Sequence, residues 1–384
     1  MGTTHAHRRL AFNGRFLTAA ETGVQRVAGN LIRALDDLPL LPAEDEPELA
    51  VLRPRHSARS LNLGRLPEIS VGATGGQIWE QVELPLHLGG RRLINLCNSG
   101  PLLAPTAISM IHDAQVFISP GSYSPAFARW YRFMQPRLAR QSERVLTVSE
   151  YSKALLVEHG ICEPDKISVI PNGADHILRV EPDPSIINTR NLTEYEYVFM
   201  FGSFQVHKNL ELVVRLFYMD EFKNIDLVIS GNISWDEINS RFGLHPIPNI
   251  HLIGPAPDSQ IRALMAKAAC LACPSETEGF GLPPLEAMML GCPAVVAPRG
   301  ALPEVCGDAA TYADPGRIDD WAHALLRRAK AGYDPGDRER VRRHAEQFTW
   351  KRAASQLRSI IGDLTGQPSR KAIRTMQETH IGRP

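Results

Sequence analysis

Short runs that are apolar on nearly every residue recur along this chain, each separated from the next by polar or helix-patterned sequence. Examples are "LAVLR" (49–53), "AISMIH" (107–112), "YVFMFG" (197–202) and "CLACP" (270–274). A strand with two apolar faces cannot leave one in water, so these runs belong to sheets covered on both sides. Strands alternating with helical crossovers make those sheets parallel.

The pattern occurs twice. Strands are expected at 9–13, 49–53, 93–96, 107–112, 144–149 and 167–170, with helices at 24–36, 125–141 and 150–159. A second block places strands at 197–202, 226–230, 250–253, 270–274 and 293–297, with helices at 209–219, 258–268 and 283–290. Between the blocks, "LRVEPDPSIINTRNLTEYE" (178–196) is polar and without clear periodicity. The chain has 384 residues, too many for one average core. The expectation is two Rossmann-like, doubly wound α/β domains, 1–180 and 195–347. Helices near 316–331, 336–347 and 350–363 follow the second sheet, and the tail 365–384, poor in apolar residues, is expected to be mobile.

Composition narrows the class. Forty-two basic residues balance 42 acidic ones, which argues against nucleic acid as a partner. No apolar run approaches the ~18 residues of a membrane span. The first residues, "MGTTHAHRRLAF", match neither a signal peptide nor the myristoylation pattern. The six cysteines lie in apolar segments, and the C-x-x-C of Cys270 and Cys273 has no second pair at metal spacing, so buried thiols in a reduced, cytoplasmic protein are expected.

The chemistry concentrates in "PSETEGFGLPPLEAMMLGCPAVV" (274–296). A strand ends in a glycine-rich turn, Pro283 suits the first turn of a helix, and Gly291 with Pro293 ends it. Gly279 and Gly281 let backbone pass close to a ligand, and the amides of Gly279, Phe280, Gly281 and Leu282 at a helix N-terminus favour a phosphate-like anion. A carboxylate aimed at a diphosphate would repel it, so each glutamate needs another task. Glu286, expected in the first helical turn, suits the vicinal diol of a ribose. Glu278, on the loop, suits sugar hydroxyls or positive charge developing at a reacting carbon. Acidic residues that merely complement the helix dipole would not need two glycines in the turn. A cation is supplied by "FGSFQVHKNLELVV" (201–214), where Gly202 permits close approach and Lys208 stands at a helix start that the dipole disfavours.

These residues closely resemble the E-x7-E signature of family-4 retaining glycosyltransferases of the GT-B type, Glu278 and Glu286 having the required seven residues between them. The likeness runs in order through nearly the whole chain. "NGRFLTAAETGVQRV" (13–27) is similar to the family's N-terminal glycine loop, "MIHDAQVF" (110–117) to its His-Asp segment and "LTVSEYSK" (146–153) to its T-V-S-x-x-S segment. "VIPNGAD" (169–175) resembles its P-N-G turn, and "FTWKRAASQL" (348–357) the closing helix that crosses back onto the first domain. The resemblance implies a nucleotide-sugar donor on the second domain and an acceptor on the first. Carried over, Glu286 binds ribose, Glu278 the donor sugar, and Lys208 the diphosphate, helped by amides near Gly281 and Leu282 and by the loop at Gly23. His112 faces the donor sugar and steadies an oxocarbenium-like transition state; "LIGPAPDS" (252–259) flanks the base.

One position departs from the family. His207 stands where an arginine precedes the lysine, and histidine is only partly charged near neutral pH. Either Arg26 contributes, or donor affinity rises as pH falls from about 8 to 6, across the reference value. No D-x-D triplet occurs, so neither a metal nor any other cofactor is expected, and Lys208 with loop amides would neutralise the leaving group. The donor phosphate oxygen is the expected proton acceptor; His112 is the alternative base, or else a structural histidine at a strand end.

The acceptor expected from the likeness is an oligosaccharide or polyprenyl-linked glycan of bacterial surface polysaccharide synthesis. GDP-mannose is the first choice of donor, with dTDP-rhamnose, GDP-fucose and UDP-hexoses as alternatives. "RWYRFMQPRLARQSER" (129–144), with five arginines, fits a covering helix of the first domain better than one lying on the inner membrane, although peripheral contact stays open. A phosphorylase would need a pyridoxal-phosphate lysine site, for which the chain offers no matching context, epimerases lack the E-x7-E arrangement, and a non-catalytic sugar-nucleotide-binding protein would be expected to have lost Glu278, Glu286, Lys208 or His112.

Overall fold

Strand β1 (Arg9–Asn13) is buried from Leu10 onward and lies in the interior of a seven-stranded parallel sheet, because a largely apolar strand is stable only with neighbours on both edges and cover on both faces. The computed structural model describes residues 8–42 and 46–366, so nearly all of the tail expected at 365–384 lies outside the described residues, as do residues 1–7. The first sheet adds β2 (Glu48–Pro54), β3 (Glu68–Val71), β4 (Arg92–Asn95), β5 (Thr106–Met110), β6 (Arg144–Thr147) and β7 (Ile167–Val169), in the order β3-β2-β1-β4-β5-β6-β7. The second holds β8 (Val198–Phe201), β9 (Leu227–Ser230), β10 (Ile250–Gly254), β11 (Cys270–Cys273), β12 (Ala294–Val296) and β13 (Thr311–Tyr312), in the order β10-β9-β8-β11-β12-β13. Every pairing is parallel.

The two orders share one consequence. Strand order reverses between β1 and β4 and again between β8 and β11, and ligands bind at the carboxyl ends of such reversals. The loops after β8 and β11 carry Lys208 and Glu278, which is why two residues distant in sequence open onto one crevice.

Strands β3 and β13 were not among the expected runs. Each is a sheet edge with exposed or half-exposed residues, so neither shows a continuous apolar run. Also unexpected is the helical stretch Gly76–Leu86, which widens into a π-turn at Trp79–Glu83 and seats Trp79 and Glu80 in the core.

The helix Trp350–Leu364 returns to the first sheet. Thr349 caps it by accepting a hydrogen bond from the Arg352 amide at 3.2 Å, and its Trp350, Ala353, Leu357 and Ile361 face is buried against the helix Gly23–Asp36. Removing the Trp350 indole would cost about 3–5 kcal/mol by loss of that packing. Its start is pinned to the P-N-G turn: Asp175 Oδ1 accepts from the Trp350 amide at 2.8 Å, and a Cβ on Gly173 would lie 2.2 Å from the Trp350 nitrogen.

The helix Pro125–Gln141 buries Ala128, Met134, Leu138 and Ala139 and turns Arg129, Arg132, Phe133, Arg137 and Arg140 outward, the geometry of a covering helix. Among the described residues no helix is long and apolar enough to cross a membrane. All six cysteines are free thiols; Cys270, Cys273, Cys292 and Cys306 are buried, whereas Cys97 and Cys162 are only half-buried, a correction to the expectation for those two.

Candidate active site

Lys208 closes a single 3-10 turn, Val206–Lys208, before Asn209 takes a left-handed conformation and the helix Leu210–Leu216 begins. Its ammonium donates to Glu278 Oε1 at 2.6 Å, and Ser275 Oγ donates to the same oxygen at 2.8 Å. Burial pulls the lysine pKa down, but the Glu278 charge, with smaller help from neighbouring groups, more than offsets it, so the lysine sits above its ordinary value. An ammonium has three donors, which leaves two for a diphosphate. The structure thus joins Lys208 and Glu278, which the sequence had assigned to separate parts of the donor. Gly300, with φ +63°, lies under the loop; a Cβ there would meet the Glu278 amide nitrogen at 2.5 Å.

Across the crevice, the His112–Asp113 segment that follows β5 touches this loop directly. A methyl on Gly279 would meet Asp113 Cβ at 2.9 Å and the His112 carbonyl at 3.4 Å. The two serines of the T-V-S-x-x-S segment seal the contact, Ser149 Oγ and Ser152 Oγ donating to the Gly279 carbonyl at 2.6 and 3.0 Å. Gln115 and Tyr151 reach Thr277 Oγ1 at 3.0 and 3.2 Å, and Glu304 accepts the amides of Glu150 and Tyr151, anchoring the helix Glu150–Glu158. Serine hydroxyls and short loops of this kind carry no periodic signal; Asp113 lay within the quoted His-Asp segment but was given no task.

His112 is 5% exposed, and its Nε2–H donates to the Leu96 carbonyl at 2.9 Å, which leaves the Nδ1 lone pair free of that bond. Burial pushes its pKa down to about 4, so the ring is neutral near pH 7 and a weak base. Asp113 is shifted the other way, upward, by burial and then by the Glu278 charge.

Gly281 adopts φ +93° and serves as N-cap of the helix Leu282–Met289, a conformation that favours glycine; a Cβ there would strike Leu302 Cδ2 at 2.6 Å. Leu282 is the first residue of that helix, so Glu286 falls in its second turn, not the first. Phe280 is buried with its ring 6.2 Å from that of Phe348, so only its backbone is available to a donor. Glu286 is 6% exposed, with His176 Nε2 2.9 Å from Oε1; His176 Nδ1 in turn accepts from Trp350 Nε1 at 3.0 Å.

Three further expectations change. His207 is buried, with Nδ1 3.3 Å from Ser122 Oγ, and burial followed by the Lys208 charge lowers its pKa, so near neutral pH it carries less charge than a free imidazole. Arg26 is committed to Asp258 at 2.8 Å, bridging the first domain to the loop expected to flank the base, although the Glu286 charge acts on it too. The space beside Gly202 is filled by Ile229 and Ile233, which a Cβ would meet at 2.7 and 2.6 Å, so packing explains that glycine. Gly23, by contrast, opens the helix Gly23–Asp36 with nothing within 4 Å of where its Cβ would stand. Among the described residues no three His, Cys, Asp or Glu side chains cluster as metal ligands.

Comparison with known proteins points to the same fold and to a family. Residues 184–348 match the family described as glycosyl transferases group 1, and residues 92–177 match Glycosyltransferase Family 4. The chain is 30% identical over 280 residues to an MMP alpha-(1->4)-mannosyltransferase of Mycolicibacterium hassiacum, covering 70% of this chain and 66% of that one. It is 27% identical over 268 residues to the O-antigen chain mannosyltransferase B of Escherichia coli, covering 65% and 68%. A GDP-mannose:cellobiosyl-diphosphopolyprenol alpha-mannosyltransferase of Komagataeibacter xylinus is 24% identical over 73% of this chain and 74% of its own. In structure, Anabaena HepE in complex with UDP and glucose superposes with a TM-score of 0.66 over 91% of this chain and 98% of its own, at 17% identity, a likeness of fold. With its two parallel-sheet domains and both family matches, the chain belongs to the family-4 glycosyltransferases of the GT-B fold.

Proposed function

We propose that the protein is a retaining, metal-independent hexosyltransferase that moves a hexose from a nucleoside-diphosphate sugar to a lipid-linked or oligosaccharide acceptor in bacterial surface polysaccharide synthesis. The observation that carries the reading is the Lys208–Glu278 pair at the second sheet's reversal, packed through Gly279 against His112 and Asp113. Positive and negative charge are both needed there: Lys208 for the departing diphosphate, Glu278 for the carbon that becomes electron-poor. The bond from the anomeric carbon to the phosphate oxygen breaks while the acceptor oxygen bonds that carbon on the same face. The acceptor proton passes to the departing phosphate oxygen. Neutral His112 orients the sugar and is a poor base, its pKa being about 4. Glu286 takes the ribose, and the amides from Gly279 to Leu282 share the diphosphate.

GDP-mannose is the preferred donor, since relatives named as mannosyltransferases support it, and the polyprenol-linked acceptor of one relative supports a lipid-linked acceptor here. The outward arginines of the helix Pro125–Gln141 would suit peripheral contact with the inner membrane surface on which such an acceptor lies.

Calorimetric titration with GDP, UDP and dTDP, with and without magnesium, on wild type and Glu286→Ala tests the donor site. One nucleotide should bind without metal and lose affinity in the variant. The anomeric configuration of the transfer product, read by NMR, tests retention. Binding by none of the three, an absolute magnesium requirement, or an inverted product each removes the corresponding part of the proposal.

A further inference from the structure

Glu286 is a buried carboxylate on an apolar helix, a placement that costs several kcal/mol unless something polar faces it. Among the described residues its one ion-pair partner within 4 Å is His176, whose Nε2 lies 2.9 Å from Oε1, and the Arg26 charge acts on it from farther off. His176 comes from the segment between the two sheets, in the turn Asp175–Arg179, and is itself 7% exposed. Its other nitrogen is not free to choose a role. Trp350 Nε1–H can only donate, and it donates to Nδ1 at 3.0 Å, so the neutral ring must carry its proton on Nε2, toward Glu286. That N–H is too oblique to Oε1 to count as an aligned hydrogen bond, and among the described residues it has no other acceptor. The contact therefore places a polar N–H beside the carboxylate without using up its accepting capacity.

We infer that His176, locked in one tautomer by Trp350, is a positioning residue for Glu286 and sets how strongly the donor's ribose hydroxyls are bound. The inference rests on the reading of Glu286 as the ribose ligand and deepens it. Trp350 opens the helix that docks on the first domain, so the ribose site is built correctly only when that helix is seated. A histidine that merely filled space would be insensitive to the ribose of the ligand, and this difference makes the idea testable.

The experiment measures by calorimetry the ratio of dissociation constants for 2′,3′-dideoxy-GDP and GDP, or for the uridine pair if GDP does not bind. In wild type the hydroxyls should favour the ribonucleotide by about tenfold or more. His176→Leu and Trp350→Phe should each pull that ratio down toward the Glu286→Ala value while leaving the dideoxynucleotide affinity within about twofold. His176→Gln, whose amide nitrogen can take the place of Nε2, should keep most of the ratio. Thermal melts verify folding, and Trp350→Phe, which keeps the aromatic bulk, carries the test if His176→Leu is not recovered folded. A wild-type ratio in the folded variants, with Glu286→Ala still lowering it, overturns the inference alone. A ratio untouched by Glu286→Ala overturns the ribose reading and this inference with it.

Discussion

Lys208 Nζ lies 2.6 Å from Glu278 Oε1, although the two residues stand 70 positions apart in the chain. Removing the ammonium leaves a largely buried carboxylate unpaired beside a diphosphate that also lacks its cation. Lys208→Ala should therefore lower kcat/KM by about 10²–10³-fold. Glu278→Gln, close to isosteric, should lower kcat by a similar factor while changing nucleotide affinity by less than about tenfold. Steady-state kinetics beside calorimetry separate the two, and activity within a few-fold of wild type in Lys208→Ala would remove the pair from the mechanism.

His112 ties stability to acid. Unfolded, it takes up a proton below its ordinary value of ~6.5, but folded it stays neutral down to about 4. The unfolded chain thus binds more protons across that window, and stability should fall as pH drops from 6.5 to 4, by about 3 kcal/mol from this residue, then level off. His112→Gln should flatten this part of the acid limb in urea unfolding measured at several pH values. An unchanged slope would mean that the ring titrates normally.

His207 is held below its ordinary value by burial and by the Lys208 charge, so it is mostly neutral above about pH 6.5. Donor affinity should be flat from pH 6.5 to 8 and should strengthen only below that range, as a second cation forms beside Lys208. Nucleotide titrations over pH 5.5–8 check this; tighter binding already between pH 8 and 7 would show a histidine gaining charge at its usual pH or above.

Gly279→Ala places a methyl 2.9 Å from Asp113 Cβ, so the donor loop and the His112–Asp113 segment must separate. A displacement of about 1 Å at a reacting centre costs on the order of 10²-fold in rate. Turnover should fall by that order while nucleotide affinity, built within the second domain, stays within about threefold of wild type. Ser149→Ala, which removes a 2.6 Å bond to the Gly279 carbonyl, should act in the same direction and less strongly. Equal losses of turnover and affinity would show that the loop itself had collapsed.

Much of the architecture was legible in the chain because its determinants are local. An apolar run demands burial, a helical period demands one covered face, and a glycine-rich turn before a proline demands a helix start; each is decided within a few residues. The central strands and the long helices followed from this, as did the spacing that singles out Glu278 and Glu286. The edge strands β3 and β13 and the π-turn at Trp79–Glu83 did not, since their residues answer to neighbours contributed from elsewhere in the fold.

By itself, then, the sequence determined two covered parallel sheets and which side chains were available for chemistry. Only the tertiary structure decided how those side chains are paired. Lys208 meets Glu278 because β8 and β11 are neighbours in the second sheet, and strand order is written in no local pattern. Burial, equally non-local, keeps His207 and His112 neutral. His176 and Trp350, 174 positions apart, close into one contact because the last helix packs back onto the first domain, a choice made by the apolar surface of the whole molecule.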